Sequence, residues 1–372
     1  MRVLLFSVTA GEGHNMTAKA IARTLESMGA ETRIVDSYRT AGRLMYYTVA
    51  KGYLLASSCL KYGYGAVYRV IDRRKSGRYR SALIRFSGRS LAKKFARIIA
   101  EYEPSAVICT HPFAARILDI AKERYGVRAK TVGVVTDFTM HPYWEESLRL
   151  DRVIIPCEPM IDAARKKGFT DAQIRPLGIP VHPKFAASED KETARSILGL
   201  DPALPTLFLM SGSMGHGNMA HTLSLLDRIP TPHQTIVVCG SNKKMRERID
   251  AHAWKTRVLT LGFTEKIPLL MDAADLVVSK PGGLTTSEAF TRRLPLVIVD
   301  PIPGHEKNNA RFLTKEGCAV AVGRKYPLAR AVEELLSDEE RLGKMQAEVE
   351  RLRKPNAVLD LCREIFALAE ED

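Results

Sequence analysis

Cysteine pairs and long apolar runs are both missing from this chain of 372 residues. Its six cysteines are scattered, and none belongs to a Cys-x-x-Cys pair, which argues against a zinc site or a redox motif. No uninterrupted apolar stretch reaches the roughly 20 residues that a helix needs to cross a bilayer. The opening residues 1–8 predict a strand rather than a signal peptide, because Gly-Glu-Gly-His follows where a cleavage site would lie. We therefore expect a globular cytoplasmic protein with reduced thiols and no bound cofactor.

Acidic residues are nearly absent from one segment, and this segment holds almost all of the net charge of +14. Between Arg43 and Arg97 there are 14 Lys or Arg residues, one acid (Asp72) and seven of the 12 tyrosines. Residues 82–99 have the pattern of a basic amphipathic helix. Such a segment suits an anionic membrane surface, a nucleic acid, or an ordinary solvated helical face.

Short β-branched runs alternate with helical patterns along the chain, and this alternation predicts an α/β protein with parallel sheets. The length exceeds the size at which one hydrophobic core usually keeps growing, so two Rossmann-like domains are expected. The strand-like runs are residues 2–8, 31–36, 106–109, 130–135, 152–156, 206–211, 234–239, 257–261, 276–279 and 296–300.

The domain break is expected at residues 178–183, where two prolines and a glycine interrupt the pattern. This gives a first domain of residues 1–178 and a second of residues 179–350. The remaining residues, 351–372, predict a C-terminal helix that returns to the first domain. Two sheets that face each other across the linker would bring their ligand-binding loops to one central cleft.

Ligands of open parallel sheets bind outside the carboxyl ends of the strands, and this rule selects particular loops. In the first domain they are residues 9–14, 110–112, 136–137 and 141–142. In the second domain they are residues 211–217, 240–242, 262–263, 280–288 and 301–309.

The motif S-K-P-G-G-L-T-T-S-E at residues 279–288 joins a buried strand to a helix. Pro281, Gly282 and Gly283 force a turn, and the side chains of the following Thr285-Thr286-Ser287 are predicted to cap the helix. The exposed N–H groups and positive dipole end of a helix favour a phosphate. Glu288 would then offer a hydrogen-bond acceptor to sugar hydroxyls. The alternative is an ordinary glycine-rich loop before a helix.

Other loops contain further candidates. The glycine-rich residues 211–217 leave backbone N–H groups accessible to a diphosphate, or form a simple flexible turn. Phe263 suits stacking on a flat base, although an aromatic residue there is often part of the core.

His14 is a candidate general base or a helix-start hydrogen bonder, and Asp137 would orient it, act as the base, or be a structural acid. No Asp-x-Asp pair occurs on these loops, so no metal is expected. Helix ends and Lys280 would neutralise the diphosphate instead.

The ordered set of motifs resembles the processive diacylglycerol glycosyltransferases and the plant-type monogalactosyldiacylglycerol synthases, which are similar to the lipid-linked N-acetylglucosamine transferase of peptidoglycan synthesis. The resemblance covers most of the chain. The motifs that carry it are G-E-G-H (11–14), A-K-A-I (18–21), T-H-P-F (110–113), V-V-T-D-F (134–138) with His141 and Trp144, G-I-P-V (178–181), C-G-S-N-K-K (239–244), L-G-F (261–263), S-K-P-G-G-L-T-T-S-E (279–288) and P-I-P-G-H-E-K-N-N (301–309).

The resemblance implies a GT-B fold, a UDP-sugar held by the second domain, and an inverting, metal-independent transfer of a hexose to a membrane lipid. Diacylglycerol is the expected acceptor. His14 and Asp137 are the implied catalytic residues. Glu288 would bind the ribose, Phe263 the base, and Glu306 with Asn309 the sugar. The implied donor-binding residues are Gly212, Ser213, Gly215, Asn242, Phe263, Lys280, Gly282, Gly283, Thr285, Thr286, Glu288, His305, Glu306 and Asn309.

In this context the membrane interpretation of the basic segment is favoured over nucleic acid, which implies a peripheral protein on the inner face of the cell membrane. The implied acceptor and membrane residues are Gly13, Arg73, Arg74, Lys75, Arg78, Arg85, Arg89 and Lys93. Three features depart from the family. His305 stands where glutamine is usual, next to the sugar, and Glu12 stands where glycine is common. The loop Ser211-Gly212-Ser213-Met214 is less glycine-rich than the common form.

Three alternatives stay open at this point. One is an N-acetylglucosamine transferase that acts on a polyprenyl-linked or other acceptor. Another is a hydrolysing nucleotide-sugar epimerase, which shares the two-domain plan but has no need of the basic tyrosine-rich segment. The third is a non-catalytic protein that binds a nucleotide sugar or a lipid surface.

Overall fold

The computed structural model describes residues 1–9, 12–42, 82–212 and 218–371, of which residues 12 and 82–87 are described by their backbone alone. The contacts divide the chain into two compact units. The first unit comprises Met1–Pro183, Pro303–His305 and Asn356–Asp372, and the second comprises Lys184–Ile302 and Glu306–Pro355.

The first unit is built on a parallel sheet that has six strands in the described residues. Its strands are β1 (Arg2–Ser7), β2 (Glu31–Asp36), β3 (Ala106–Cys109), β4 (Lys130–Val134), β5 (Arg152–Ile154) and β6 (Ile174–Arg175). Its helices are α1 (Glu12–Ser27), α2 (Ser37–Ala41), α3 (Ala82–Tyr102), α4 (Pro112–Tyr125), α5 (Ile161–Lys166) and the C-terminal helix, which is α14 (Ala357–Glu370). The strand order is β2-β1-β3-β4-β5-β6.

The second unit is built on another parallel sheet, also of six strands within the described ranges. Its strands are β7 (Thr206–Met210), β8 (Gln234–Val238), β9 (Arg257–Leu261), β10 (Leu276–Ser279), β11 (Leu296–Ile298) and β12 (Ala319–Ala321). Its helices are α6 (Lys191–Ile197), α7 (Met219–Leu226), α8 (Lys243–Asp250), α9 (Ile267–Asp272), α10 (Gly283–Thr291), α11 (His305–Lys315, whose first residue counts with the first unit), α12 (Leu328–Ser337) and α13 (Glu339–Leu352). The strand order is β12-β11-β10-β7-β8-β9.

Each sheet has a point at which its strand order reverses. In the first sheet this point lies between β1 and β3, because β2 pairs with the opposite side of β1. In the second sheet it lies between β7 and β10, because the chain proceeds from β7 to β8 and β9 on one side and to β11 and β12 on the other. In sheets of this kind a crevice opens at the carboxyl ends of the two strands that flank the reversal.

The central strands are mostly apolar and almost wholly buried, as expected for parallel strands whose sheet is covered by helices on both faces. Residues 3–7 of β1 are all buried, and the ring of Phe6 stacks on Phe95 of α3 with the centroids 3.8 Å apart. The opposite face of the first sheet packs against α1 and α14. Leu361 and Ile365 of α14 belong to one core cluster with Val3 of β1 and Leu25 of α1. Helix α14 is therefore part of the core of the first unit.

The predicted α/β architecture and parallel sheets are confirmed, and all ten predicted strands keep their bounds or shorten by no more than two residues. The sequence interpretation missed β6 and β12, which are only two and three residues long. Strands this short contain too few residues to show a pattern.

One stability prediction concerns the packing of α14. Leu361→Ala removes a fully buried side chain, so we expect a loss of about 2–5 kcal/mol in the free energy of unfolding of the first unit. Denaturant unfolding followed by circular dichroism measures it. Arg363→Ala is the matched control on the same helix, because its side chain is 65% exposed, and it should change the free energy by less than about 0.5 kcal/mol. Equal effects of the two variants would contradict the placement of α14 in the core.

Candidate active site

The first candidate site lies at the carboxyl edge of the first sheet, where the strand order reverses. His14 is the third residue of α1, which follows β1, and His111 is the second residue after β3. Thr136 and Asp137 follow β4, which pairs with β3. Three adjacent strands thus bring these side chains to one edge.

The ring of His14 is held at its Nδ1 atom. Nδ1 lies 2.8 Å from the backbone carbonyl oxygen of Thr110 and 2.8 Å from the hydroxyl of Thr136. A carbonyl oxygen can only accept a hydrogen bond, so Nδ1 carries the proton. The tautomer assigned by this bond leaves the lone pair on Nε2, and a neutral His14 is therefore a base at that atom.

Thr110 is itself fixed to β1, which makes the contact with His14 rigid. Its backbone N–H donates to the carbonyl of Phe6 at 3.2 Å, and its hydroxyl donates to Ser7 Oγ at 3.1 Å. Both Thr110 and Ser7 are buried. The position of the catalytic candidate thus follows from the register of β1 and β3.

Burial is the largest influence on the charge of His14. It lowers the pKa of His14 below its ordinary value, whereas the nearby Asp137 carboxylate and the bond to Thr110 act in the opposite direction. The imidazole is consequently neutral near pH 7, as a general base must be. Asp137 would stabilise the imidazolium once a proton is taken up.

Two more histidines lie close to His14, and both precede a proline. His111 is the N-cap of α4, where its Nδ1 accepts the backbone N–H of Phe113 at 3.1 Å. His141 caps the short 3₁₀ helix Pro142–Glu146 in the same way, accepting from Tyr143 at 3.1 Å. An accepting Nδ1 has no proton, so both rings carry their proton on Nε2 when neutral.

The His14 and His111 rings meet edge to face, with centroids 4.6 Å apart and an angle of 82° between their planes. Burial and the neighbouring histidines lower the pKa of His111 well below its ordinary value, and burial lowers the pKa of His141 to about 4. His305, which the contacts group with the same unit, also lowers the pKa of both rings.

The second candidate site lies at the reversal point of the second sheet. Gly212, just after β7, has a φ of +68°, and a Cβ built there would meet nothing within 4 Å. Its predicted partners Ser213 and Gly215 lie outside the described residues. After β10, Lys280 and Pro281 lead to Gly282, where a Cβ would again meet open space.

Helix α10 begins at Gly283, with Gly282 as its N-cap and no capping side chain. The prediction that the side chains of Thr285, Thr286 and Ser287 cap this helix is wrong, because they lie inside it. The glycine turn ends earlier than expected and lets the helix start at once. The first-turn N–H groups are therefore not covered by a side-chain cap, as an anion site requires. Thr286 is buried, and its hydroxyl has no hydrogen-bond partner within the described part of the chain.

Glu306 and Asn309, both predicted to contact the sugar, are buried on α11 and brace the neighbouring loops. A carboxylate oxygen of Glu306 accepts the backbone N–H of Ile302 at 2.6 Å. The amide of Asn309 donates to the carbonyl of Pro281 at 3.0 Å. Asn309 thus fixes the turn that precedes α10.

Glu288 and Phe263 are two further residues that the sequence predicts to bind the nucleotide sugar. Burial raises the pKa of Glu288 to about 7, and the ammonium group of Lys184 opposes this rise. Phe263 follows β9 with its residue surface 74% exposed, so the alternative that it belongs to the core is wrong. Asn242 uses its side-chain oxygen to cap α8, where it accepts from Met245 at 3.0 Å.

The basic segment is described only in its C-terminal part. Arg73, Arg74, Lys75 and Arg78 lie outside the described residues, as does the side chain of Arg85. On α3, Arg89 and Lys93 are exposed, while the apolar Leu91, Phe95 and Ile99 are buried in the core. Gly13 is half-buried beside His14 on α1.

No described helix has the length and apolar character that a membrane span requires. Likewise, the described His, Cys, Asp and Glu side chains form no group of three or more that could hold a metal ion.

Sequence reasoning selected the loops of these sites but missed the roles of several residues in them. Thr110 and Thr136 set the His14 tautomer, and His111 and His141 act as helix caps. The repeated His-Pro pair was a usable signal, because proline favours the first position of a helix and the residue before it is then the cap. No pattern in the sequence marked Lys184 as a neighbour of Glu288, since the proximity of the two residues depends on the fold.

Both halves of the chain match known enzyme families. Residues 14–181 match the family described as monogalactosyldiacylglycerol (MGDG) synthase. Residues 206–361 match the glycosyltransferase family 28 C-terminal domain. Together the two matches cover most of the chain.

The chain is 26% identical to a processive diacylglycerol beta-glucosyltransferase of Bacillus licheniformis, over 99% of this chain and 95% of that protein. It is 32% identical to monogalactosyldiacylglycerol synthase 2 of Arabidopsis thaliana, over 75% of this chain and 62% of the relative. The structure superimposes on the crystal structure of Acinetobacter baumannii MurG with a TM-score of 0.65 at 17% identity, covering 98% and 99% of the two chains. The fold is therefore GT-B, and the two family matches identify a glycosyltransferase.

Proposed function

We propose that this glycosyltransferase, which belongs with the diacylglycerol glucosyltransferases and monogalactosyldiacylglycerol synthases, transfers a hexose from a UDP-sugar to diacylglycerol at a membrane surface with inversion at the anomeric carbon. The observation that carries this proposal is the state of His14. Its Nδ1 proton is held by the Thr110 carbonyl, its charge is suppressed by burial, and its Nε2 lone pair can accept a proton.

The reaction is a direct displacement. The O–H bond of the acceptor breaks and its proton passes to His14 Nε2, while the acceptor oxygen forms a bond to the anomeric carbon. The bond between that carbon and the diphosphate breaks, and the UDP leaves with the electron pair. Asp137 stabilises the positive charge that His14 acquires, because the carboxylate already acts on this ring.

The donor is bound by the second unit. The N–H groups of the first turn of α10 and the Lys280 side chain neutralise the departing diphosphate, together with the loop at Gly212. Phe263 offers an exposed ring for the base, and the Glu288 carboxylate accepts from the ribose hydroxyls. Glu306, Asn309 and His305 border the sugar.

The membrane contact is electrostatic in the described part of the basic segment. The apolar side of α3 is used by the core through Leu91, Phe95 and Ile99, so it is not available for insertion into lipid. The exposed side carries Arg89 and Lys93, and each basic residue near an anionic surface contributes about 1 kcal/mol to adsorption. The protein would then act as a peripheral enzyme on the cytoplasmic face of the membrane.

The first test is a product assay. Vesicles that contain diacylglycerol and an anionic lipid are incubated with UDP-glucose, UDP-galactose or UDP-N-acetylglucosamine, each in the presence of EDTA. We expect one of the two hexose donors to give a glycolipid, detected by mass spectrometry, and vesicles without diacylglycerol to give none. Product from UDP-N-acetylglucosamine alone would favour the alternative transferase. Donor binding without any product would favour a non-catalytic role.

The second test concerns the base. His14→Ala should lower kcat by on the order of 100-fold or more, because it removes the proposed base, while the affinity for the donor is kept. Met16→Ala is the control, since Met16 is exposed on the same helix, and it should leave kcat unchanged. A His14→Ala enzyme of normal rate would exclude this residue as the base.

The pH profile gives the third test. The base must be neutral, and burial lowers the pKa of His14 from its ordinary value of about 6.5. At saturating nucleotide sugar, kcat/KM for the acceptor should therefore reach half of its plateau at a pH below that value. The measurement is kcat/KM against pH in wild type, because this ratio reports groups of the enzyme before the acceptor binds. A midpoint near pH 7 would contradict the neutral, buried histidine.

The fourth test concerns Glu288 and donor affinity. Its pKa of about 7 means that the free carboxyl is largely protonated below this pH, whereas the carboxylate offers both of its oxygens as acceptors to the ribose hydroxyls and binds them more strongly. The affinity for UDP-glucose, measured by calorimetry without acceptor, should therefore rise from pH 6 to pH 8. A UDP-sugar is the right probe, because the terminal phosphate of free UDP itself titrates near pH 6.

Glu288→Gln is the matched variant for this titration. It should weaken binding about 10-fold at pH 8 and abolish the pH dependence, because the amide does not titrate. A variant that keeps the wild-type pH dependence would show that another group is responsible.

A further inference from the structure

Two neighbouring histidines of the candidate site are both held at Nδ1, but one carries its proton on this nitrogen and the other does not. His14 uses Nδ1–H to bond the Thr110 carbonyl, which leaves a lone pair on Nε2. His111 uses the lone pair of Nδ1 to accept the N–H of Phe113, which leaves the proton on Nε2. Their rings are 4.6 Å apart. The Nε2 atom of His14 is thus a proton acceptor, whereas the Nε2–H group of His111 is a hydrogen-bond donor.

Histidine is not needed at this position for the cap alone. Ser, Thr, Asp and Asn are the usual N-cap residues, and asparagine offers an acceptor oxygen at about the place of the histidine Nδ1. What the imidazole adds is the Nε2–H on its far edge. His111 is half-buried as a residue and not enclosed by the core.

The orientation of the His111 ring is fixed from several sides. The hydrogen bond from the Phe113 N–H holds Nδ1. The ring of Tyr38 lies edge-on to the His111 ring, with the centroids 6.1 Å apart, and stacks on the Phe113 ring, with the centroids 5.2 Å apart. A ring held in this way keeps a donor in a constant place, which is the condition for stabilising a developing charge without reorganisation.

The His111 ring is also kept neutral. Protonation of Nδ1 would set its N–H against the N–H of Phe113 and so break the cap. Burial, His14, His141 and His305 all lower the pKa of His111, so both the local geometry and the surroundings disfavour the cation. Neutral His111 therefore remains an Nδ1 acceptor and an Nε2 donor through the pH range of activity.

We infer that His111 is a second catalytic residue, whose Nε2–H donates a hydrogen bond to the attacking hydroxyl oxygen of the acceptor lipid while His14 Nε2 removes the proton of that hydroxyl. The inference rests on the proposed function. His111 keeps its own proton throughout. The hydroxyl oxygen gains negative charge as its proton leaves, so this hydrogen bond is stronger in the transition state than in the bound acceptor and raises kcat.

Two variants test the roles of the two His111 nitrogens one at a time. His111→Asn keeps an acceptor for the Phe113 N–H but has no donor at the place of Nε2. His111→Gln can place an amide N–H near the Nε2 position, but it has no acceptor at the place of Nδ1 and so loses the hydrogen bond from the Phe113 N–H. We compare kcat, the KM for the nucleotide sugar and the thermal midpoint of each variant with those of wild type.

We expect activity and stability to respond in opposite order. His111→Asn should keep the wild-type midpoint and the donor KM but lose on the order of 10- to 100-fold in kcat. His111→Gln should have a lower midpoint yet retain more activity than His111→Asn. If His111 were only a cap, activity would follow stability, and His111→Asn would match wild type. That result would overturn the inference.

Wild type on diacylglycerol vesicles is the reference in the same experiment. If wild type makes no glycolipid from any donor, the proposed function itself fails, and the role of His111 in that reaction fails with it. If wild type is active and His111→Asn is equally active, only the role of His111 is wrong. The two failures are therefore distinguishable.

Discussion

The hydrogen bond from His14 Nδ1 to the carbonyl of Thr110 is the constraint on which the candidate chemistry depends. It decides which nitrogen of the imidazole is a base, because a carbonyl accepts and never donates. The bond in turn depends on the register of β1 and β3, which Thr110 joins through Phe6 and Ser7. A single backbone oxygen at the end of a strand thus connects the construction of the sheet to the proposed proton transfer.

Polar groups at the carboxyl edges of both sheets have structural roles, and in the proposed function they have chemical roles as well. His111 caps a helix with Nδ1, and its Nε2 takes no part in the cap. Asn309 fixes the Pro281 carbonyl in the turn that precedes the first N–H groups of α10. Residues that brace a loop keep the groups of that loop in constant positions, and constant positions make electrostatic stabilisation effective.

Burial sets the ionisation of the principal groups. It lowers the pKa values of His14, His111 and His141, and it raises the pKa of Glu288. All four shifts have the same cause, since a charged group loses hydration when it leaves water. The first site thereby collects neutral imidazoles, which suits the proton transfer that we propose for it.

The sequence by itself determined the α/β class, most strands and the loops that hold the candidate residues, because apolar periodicity and glycine turns are local properties of the chain. It also supplied the family through ordered motifs. Only the tertiary structure decided that Phe263 is exposed, that α10 starts at Gly283 without a side-chain cap, and that β6 and β12 exist. Above all, it decided the tautomers of His14 and His111, because the carbonyl and the N–H that assign them are placed by strand pairing and helix capping between distant residues.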